Sequence, residues 1–225
     1  MALTSRNPGQ PFPFHVAHAQ PGFVDVSAGA WTPLFEELLQ GLVHAMNNRI
    51  TSLSAFAELA AMDGEPIEAR LLRNEVARLH AASAQVGLLA HRNPEAEALE
   101  LAPQITTALG IHAHHPRMRS VECTLEQQGN PLPVRVPRWA ILRLLLLLID
   151  AAKRAGDEAG GEAVPIQLSG DDVAVRVAVR TPGSPDDDIL ALATTCGGTL
   201  TATHGHWVLE LPSLLEVRRE ERQVR

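Results

Sequence analysis

His44 and Asn48 place an imidazole and a carboxamide four residues apart, in the stretch His44-Ala45-Met46-Asn47-Asn48-Arg49-Ile50-Thr51. On an α-helix that spacing is about 40° of rotation and about 6 Å of rise, so both side chains share one face. A neutral imidazole, with an ordinary pKa of about 6.5, is a good nucleophile near neutral pH. A carboxamide one turn later can hold a phosphoryl oxygen or a water without adding charge. Arg49 lies about 140° round the helix from His44, too far to share a phosphate with it, and is expected to be solvated or to meet an acidic partner. The other concentration of imidazoles, His112-Ala113-His114-His115, has no Cys or acid at ligand spacing. It is expected in a loop after a helix, without a metal.

These residues need a rigid carrier. Thr32-Pro33 followed by Leu34-Phe35-Glu36-Glu37 predicts an N-cap, a first-turn proline and acids that complement the helix dipole. Phe35, Leu38, Leu39, Leu42, Met46, Ile50, Leu53, Ala57 and Ala60 then recur at spacings of three and four, predicting one long helix. Asp63-Gly64 marks its end, and Pro66 opens a second helix carrying Leu71, Leu72, Val76, Leu79, Val86 and Leu89, which stops before Asn93-Pro94. The result is a helical hairpin with more apolar surface than one copy can bury, so two copies are expected to pair as a four-helix bundle.

Past residue 94 the pattern alternates. Helices are expected over 99–111, 137–155 and 186–195, and strands over 120–126, 164–168, 173–180, 199–203 and 207–211, with turns at Gly170-Asp171 and at His204-Gly205-His206. The expected fold class is α+β: an N-terminal hairpin, then helices laid over one face of a mixed sheet. The expected division is an arm over 1–28, the hairpin over 29–93, the α/β sandwich over 94–213 and a charged tail over 214–225.

Composition narrows the function. The chain has 225 residues, 45% hydrophobic, 4% aromatic and no Tyr, so its core must be built largely from Leu, Ala, Val and Ile. A formal net charge of −7 argues against nucleic acid as the main partner. Cys123 and Cys196 make neither a metal motif nor a disulfide framework and are expected reduced. The longest apolar run, Ile141 to Ile149, is interrupted by Arg143 and is too short to span a bilayer. Met1 to Pro13 lacks the basic-then-apolar order of a secretory signal, so a cytoplasmic location is expected.

With these residues in place, the chain resembles the core of a sensor histidine kinase. His44 to Leu59 looks like the histidine box of the dimerisation and phosphotransfer domain. The later part resembles the GHKL-type ATP-binding domain in its layout, in Leu142-Arg143-Leu144-Leu145-Leu146-Leu147-Leu148-Ile149-Asp150-Ala151-Ala152 and in Gly197-Gly198-Thr199-Leu200-Thr201. The resemblance makes His44 the phosphoacceptor and Asn48 the residue that orients phosphate or water.

It also implies a degenerate nucleotide site. The acid that usually follows the acceptor histidine is Ala45. The asparagines that hold Mg²⁺ and phosphate fall on Leu146 and Asp150. The loop whose Asp reads adenine falls on Arg180-Thr181-Pro182-Gly183-Ser184, where Arg cannot accept that hydrogen bond and Pro removes a donor. About a dozen residues separate Ser184 from Gly197, too few for a glycine-rich lid over ATP. The resemblance, with these losses, implies a homodimeric histidine phosphotransferase that takes phosphate from a response-regulator receiver domain and passes it on. Such a protein needs no cofactor of its own, because the receiver brings Mg²⁺. A receiver-binding adaptor, a receiver phosphatase acting through Asn48, and a divergent ATP-using kinase are the alternatives.

Overall fold

A computed structural model describes residues 28–63, 69–161 and 163–223. Two long helices, α1 (Ala28–Asp63) and α2 (Ala69–Ala90), form the hairpin. The rest of the fold is β1 (Ala96–Leu99), α3 (Leu101–His112), β2 (Cys123–Gln127), β3 (Val134–Pro137), α4 (Arg138–Glu158), β4 (Val164–Gly170), β5 (Ala174–Arg180), α5 (Asp187–Thr195), β6 (Thr199–Thr203), β7 (His206–Pro212) and α6 (Leu214–Gln223). The architecture is the expected one, a helical hairpin followed by an α/β sandwich. Among the described residues no helix is long and apolar enough to cross a membrane.

The main sheet runs β2-β4-β5-β7-β6, with β2 parallel to β4 and every other pairing antiparallel. Its strands alternate as the pleat demands. Val164, Ile166 and Leu168 of β4, Val175, Val177 and Val179 of β5, and Trp207, Leu209 and Leu211 of β7 are buried beneath the helices. Gln167, Arg180 and Glu210 face the other way and are exposed. The turns fall where expected. Asp171 caps the β4–β5 turn by accepting from the backbone N–H groups of Val173 and Ala174, each at 2.8 Å. His204 and Gly205 both take positive φ, 49° and 79°, the geometry of a tight two-residue hairpin.

Helix α4 is the centre of the molecule. It is buried almost without interruption from Trp139 to Asp150, because the sheet covers one side and α1 the other. Four residues of α1 (Trp31, Leu34, Leu38 and Leu42) are 4%, 2%, 0% and 0% exposed, so its first half is part of the sandwich core. Arg143 of α4 lies over the rings of Trp31 and Trp139, with 4.7 and 5.2 Å to the centroids. The second half of α1 leaves this core. Val43, Ile50 and Leu59, with Leu71 and Val76 of α2, are large apolar side chains left 40–54% exposed.

Several boundaries differ from the sequence reading. Helix α1 begins at Ala28, so Thr32-Pro33 sits inside the helix rather than at its cap, and Glu36 and Glu37 lie beyond the first turn. Pro33 is the sixth residue of α1, past the four orphan donors of the helix start, so it gives up the one hydrogen bond that an N–H there would make to the Gly29 carbonyl. The short strands β1 and β3, which pair antiparallel with each other, are additions to the expected elements. The 1–28 arm (all but Ala28), Gly64 and Pro66 lie outside the described residues.

Gly41 is a packing requirement. It is buried where α1 crosses the loop after α3, and a Cβ there would overlap the carbonyl oxygen of His114. Gly41→Ala is expected to lose about 3 kcal/mol, the upper end of overpacking costs. Gly87→Ala, in open surroundings on α2, should gain about 0.5–1 kcal/mol from helix propensity. Urea midpoints of the two variants, at unchanged slope, test the pair.

Candidate functional site

Helix α1 places His44 and Asn48 on one exposed face, as their spacing requires. Asn48 Nδ2 lies 3.2 Å from His44 Nε2. An amide nitrogen can only donate, so Nε2 is the acceptor and the ring proton sits on Nδ1. The lone pair is thus on the outward nitrogen, held by a neighbour that releases it by a side-chain rotation. Ala45 offers no base. Arg49, its side chain still 38% exposed, meets an acid within the chain: it pairs with Glu75 of α2 at 3.2 Å and ties the hairpin together.

Seven residues before His44, Glu37 occupies the same flank of α1, about 20° round and about 10.5 Å along. It is not a helix-dipole acid but the hub of a charge cluster. Its carboxylate pairs with Arg117, lies 2.6 Å from His115 Nε2 and 3.7 Å from Arg154. Asp150 of α4 accepts from His112 Nε2 at 3.1 Å and from Arg154 Nε at 2.7 Å. The rings of His112 and His115 stack at 5.1 Å, tilted by only 9°. The histidine run does not sit in a loop without acids, as its sequence implies: His112 closes α3, and both it and His115 are fully buried. The acids come from α1 and α4, which no spacing within the run could reveal.

This cluster is a clasp between hairpin and sandwich rather than a metal centre. His115 Nδ1 accepts from the backbone N–H groups of Arg117 and Met118 at 3.2 and 3.3 Å. Its proton therefore sits on Nε2, where a metal would need a lone pair. That Nε2–H meets Glu37 Oε2 at short range but off line, and neither atom completes a well-directed hydrogen bond. Among the described residues no group of His, Cys, Asp and Glu has the geometry to hold a metal ion.

Burial pushes the His115 imidazole below its ordinary value, and neighbouring His112 acts in the same direction, outweighing the pull of Asp150 and Glu37. For Asp150, burial acts upward, but hydrogen bonds from His112 and Arg154 prevail and hold the carboxyl below the usual carboxylate value. Burial also raises the thiols of Cys123 and Cys196, to about 11 and about 12, which keeps both protonated and unreactive.

The remaining sequence-matched positions do not converge. Leu146 is fully enclosed in α4. Asp150 stands on the α1 side of the same helix, with both carboxylate oxygens occupied. Arg180 ends β5 on the opposite, helix-free face of the sheet, where it lines a shallow cavity of about 260 Å³ with Gln167, Ala178 and His206. The loop holding Pro182 is pinned to β7: Thr181 N–H donates to the Gly205 carbonyl and the Trp207 indole N–H to the Gly183 carbonyl, at 2.9 and 3.0 Å.

No protein-family model matches this chain, and no curated protein matches it. Solved structures share its layout. The catalytic domain of histidine kinase ThkA is 17% identical, covering 53% of this chain and 96% of its own at a TM-score of 0.41. Histidine kinase AdeS of Acinetobacter baumannii is 18% identical over 76% of this chain and 98% of its own, at 0.40. ThkA crystallised with response regulator TrrA is 18% identical over 82% of this chain and 63% of its own, at 0.42. The likeness is one of layout.

The clasp predicts acid sensitivity. His115 titrates below 6.5 in the folded state and Asp150 below 3.8, so each contributes stability that is complete above its unfolded value and lost as pH falls through the folded one. The groups facing His115 are Glu37 on α1, His112 on α3 and Asp150 on α4, and Arg154 of α4 pairs with the first and last of these. Urea midpoints should be flat from pH 8 to about 6.5 and then decline. His115→Gln should flatten the first part of the decline, leaving the steeper loss near the carboxylate range.

Proposed function

We propose that this chain is a dimeric histidine phosphotransferase of a two-component relay, accepting phosphate on His44 from a receiver-domain aspartate and returning it to another. The observation that carries the reading is His44 itself: exposed, on a rigid helix, with its lone pair on Nε2 and an amide one turn away. In the forward step Nε2 attacks the phosphorus of the aspartyl phosphate. The N–P bond forms as the P–O bond breaks, the aspartate leaves as a carboxylate, and the ring sheds its Nδ1 proton to water. Asn48, turned from the lone pair, donates to a phosphoryl oxygen.

An acyl phosphate is a far more reactive donor than ATP and the receiver supplies its own Mg²⁺, so an acceptor without a neighbouring base suffices. The residues matched to a nucleotide site do not fit Mg²⁺ and ATP. Leu146 offers no ligand, Asp150 is engaged by His112 and Arg154, and Arg180 lies across the sheet from both. Dimerisation is the use we assign to the exposed apolar residues of the hairpin. Val43 and Ile50 lie about 100–120° from His44, so a second hairpin covering them leaves the imidazole facing outward.

Labelled receivers charged with acetyl phosphate should transfer to the wild type and not to His44→Gln. Asn48→Ala should transfer about tenfold more slowly, the equivalent of one net hydrogen bond of about 1.4 kcal/mol. A phosphatase reverses the pattern, with His44→Gln keeping hydrolysis and Asn48→Ala losing it. An adaptor loses nothing in His44→Gln. ATP with Mg²⁺ should leave the melting temperature unchanged, and a rise of several degrees would restore the kinase alternative.

A further inference from the structure

The clasp does more than join two bodies, because of how its charges are layered. The acids lie underneath: the side chains of Glu37 and Asp150 are 18% and 12% exposed. The guanidiniums lie above them, with the side chains of Arg117 and Arg154 72% and 49% exposed. Arg119 follows on the same loop, is exposed, and acts on the ring of His114. Outward, this ground is cationic on a chain whose net charge is −7.

Its place relative to His44 comes from helix geometry. Glu37, to which Arg117 and Arg154 attach, is about 20° round α1 from His44, and Gly41, on which the His114 carbonyl rests, is about 60° round. Both are on the flank that carries the acceptor. The loop is held firmly, since His115 Nδ1 accepts two of its backbone N–H groups and the buried Lys153 donates to the Met118 carbonyl at 3.3 Å.

We propose that Arg117, Arg119 and Arg154 form a basic lip, about two turns from His44, that receives the carboxylate-rimmed face of the receiver domain. The inference rests on the relay reading and deepens it: the sandwich becomes half of the docking surface. A phosphorylated receiver presents its reacting aspartate among other carboxylates. Three guanidiniums at this distance favour that approach from afar and orient it at contact, mainly through the association rate.

The test separates chemistry from docking. His44 is loaded with phosphoramidate, a small donor that needs no docking, and its discharge to a panel of purified receiver domains is followed at about 50 mM and about 500 mM salt. Arg117→Glu and Arg119→Glu should load like wild type and discharge at least tenfold more slowly at low salt, the difference closing at high salt as screening shortens to a few ångströms. Arg222→Glu, on α6, should behave as wild type. Arg119 makes no ion pair with the clasp, so its variant keeps the test valid if Arg117→Glu disturbs Glu37. Wild-type discharge rates in both loop variants at low salt would overturn the lip alone. Loaded wild type that no receiver discharges would overturn the relay reading, and the lip with it.

Discussion

One helix belongs to two bodies, and the molecule is organised by how its first half is held. Leu38 and Leu42 are fully enclosed against the sandwich, each worth about 1.5–3 kcal/mol in apolar burial. The ion pairs around Glu37 are partly exposed on their arginine side, and contacts of that kind contribute about 0–1 kcal/mol each. Packing therefore supplies the strength of docking. The charges supply its register, because a shift of one residue along α1 would strand Glu37 away from Arg117 and Arg154 and press a side chain into the His114 carbonyl at the Gly41 crossing. A buried carboxylate without its counter-charges costs more than any of these pairs returns.

That arrangement explains how a single 36-residue helix can present the acceptor proposed at His44. At 1.5 Å per residue α1 is about 54 Å long. Its last fully enclosed residue is Leu42, and His44 comes two residues later, on the exposed side of the helix as it leaves the core. The imidazole is thus close enough to the clasp to inherit its rigidity and far enough out to be reached. Further along, α2 supports the helix, through contacts such as Arg49–Glu75, and large apolar side chains there, Val43 and Ile50 among them, stay exposed.

The sequence is readable where structure is local. The stripe of α1, the alternation of β4, β5 and β7 and the two hairpin turns are encoded in neighbouring residues, and their positions agree within a few residues. The strands β1 and β3 are not legible: four residues each, they exist because Ala96 to Leu99 meets Val134 to Pro137 across the fold. The clasp is hidden for the same reason. Glu37, His115 and Asp150 belong to three elements whose contact is tertiary, and Glu37 alone resembles any acid near a helix start. One local clue does exist: Asp150, like Arg143, is a charged residue in the otherwise apolar run from Trp139 to Ala152 of α4, which signals a partner waiting in the fold. Residue type alone shows that Arg180 cannot accept from adenine, yet only the pleat of β5 shows that it faces away from α4 altogether.

The clasp also bears on whether Asp150 can serve as a metal ligand. An Asp at position 150, taken alone, is a good magnesium ligand. Here its two oxygens are spent on His112, which links α3 to α4, and on Arg154, which reaches Glu37 of α1 from the same helix. Freeing Asp150 for a metal would leave a buried imidazole and a guanidinium to find new acceptors while α1 loosened above them. Metal binding at Asp150 would therefore require the docking of α1 to change as well as one side chain. Asp150 is thus part of the joint that positions His44, and service as a metal ligand would exclude that role.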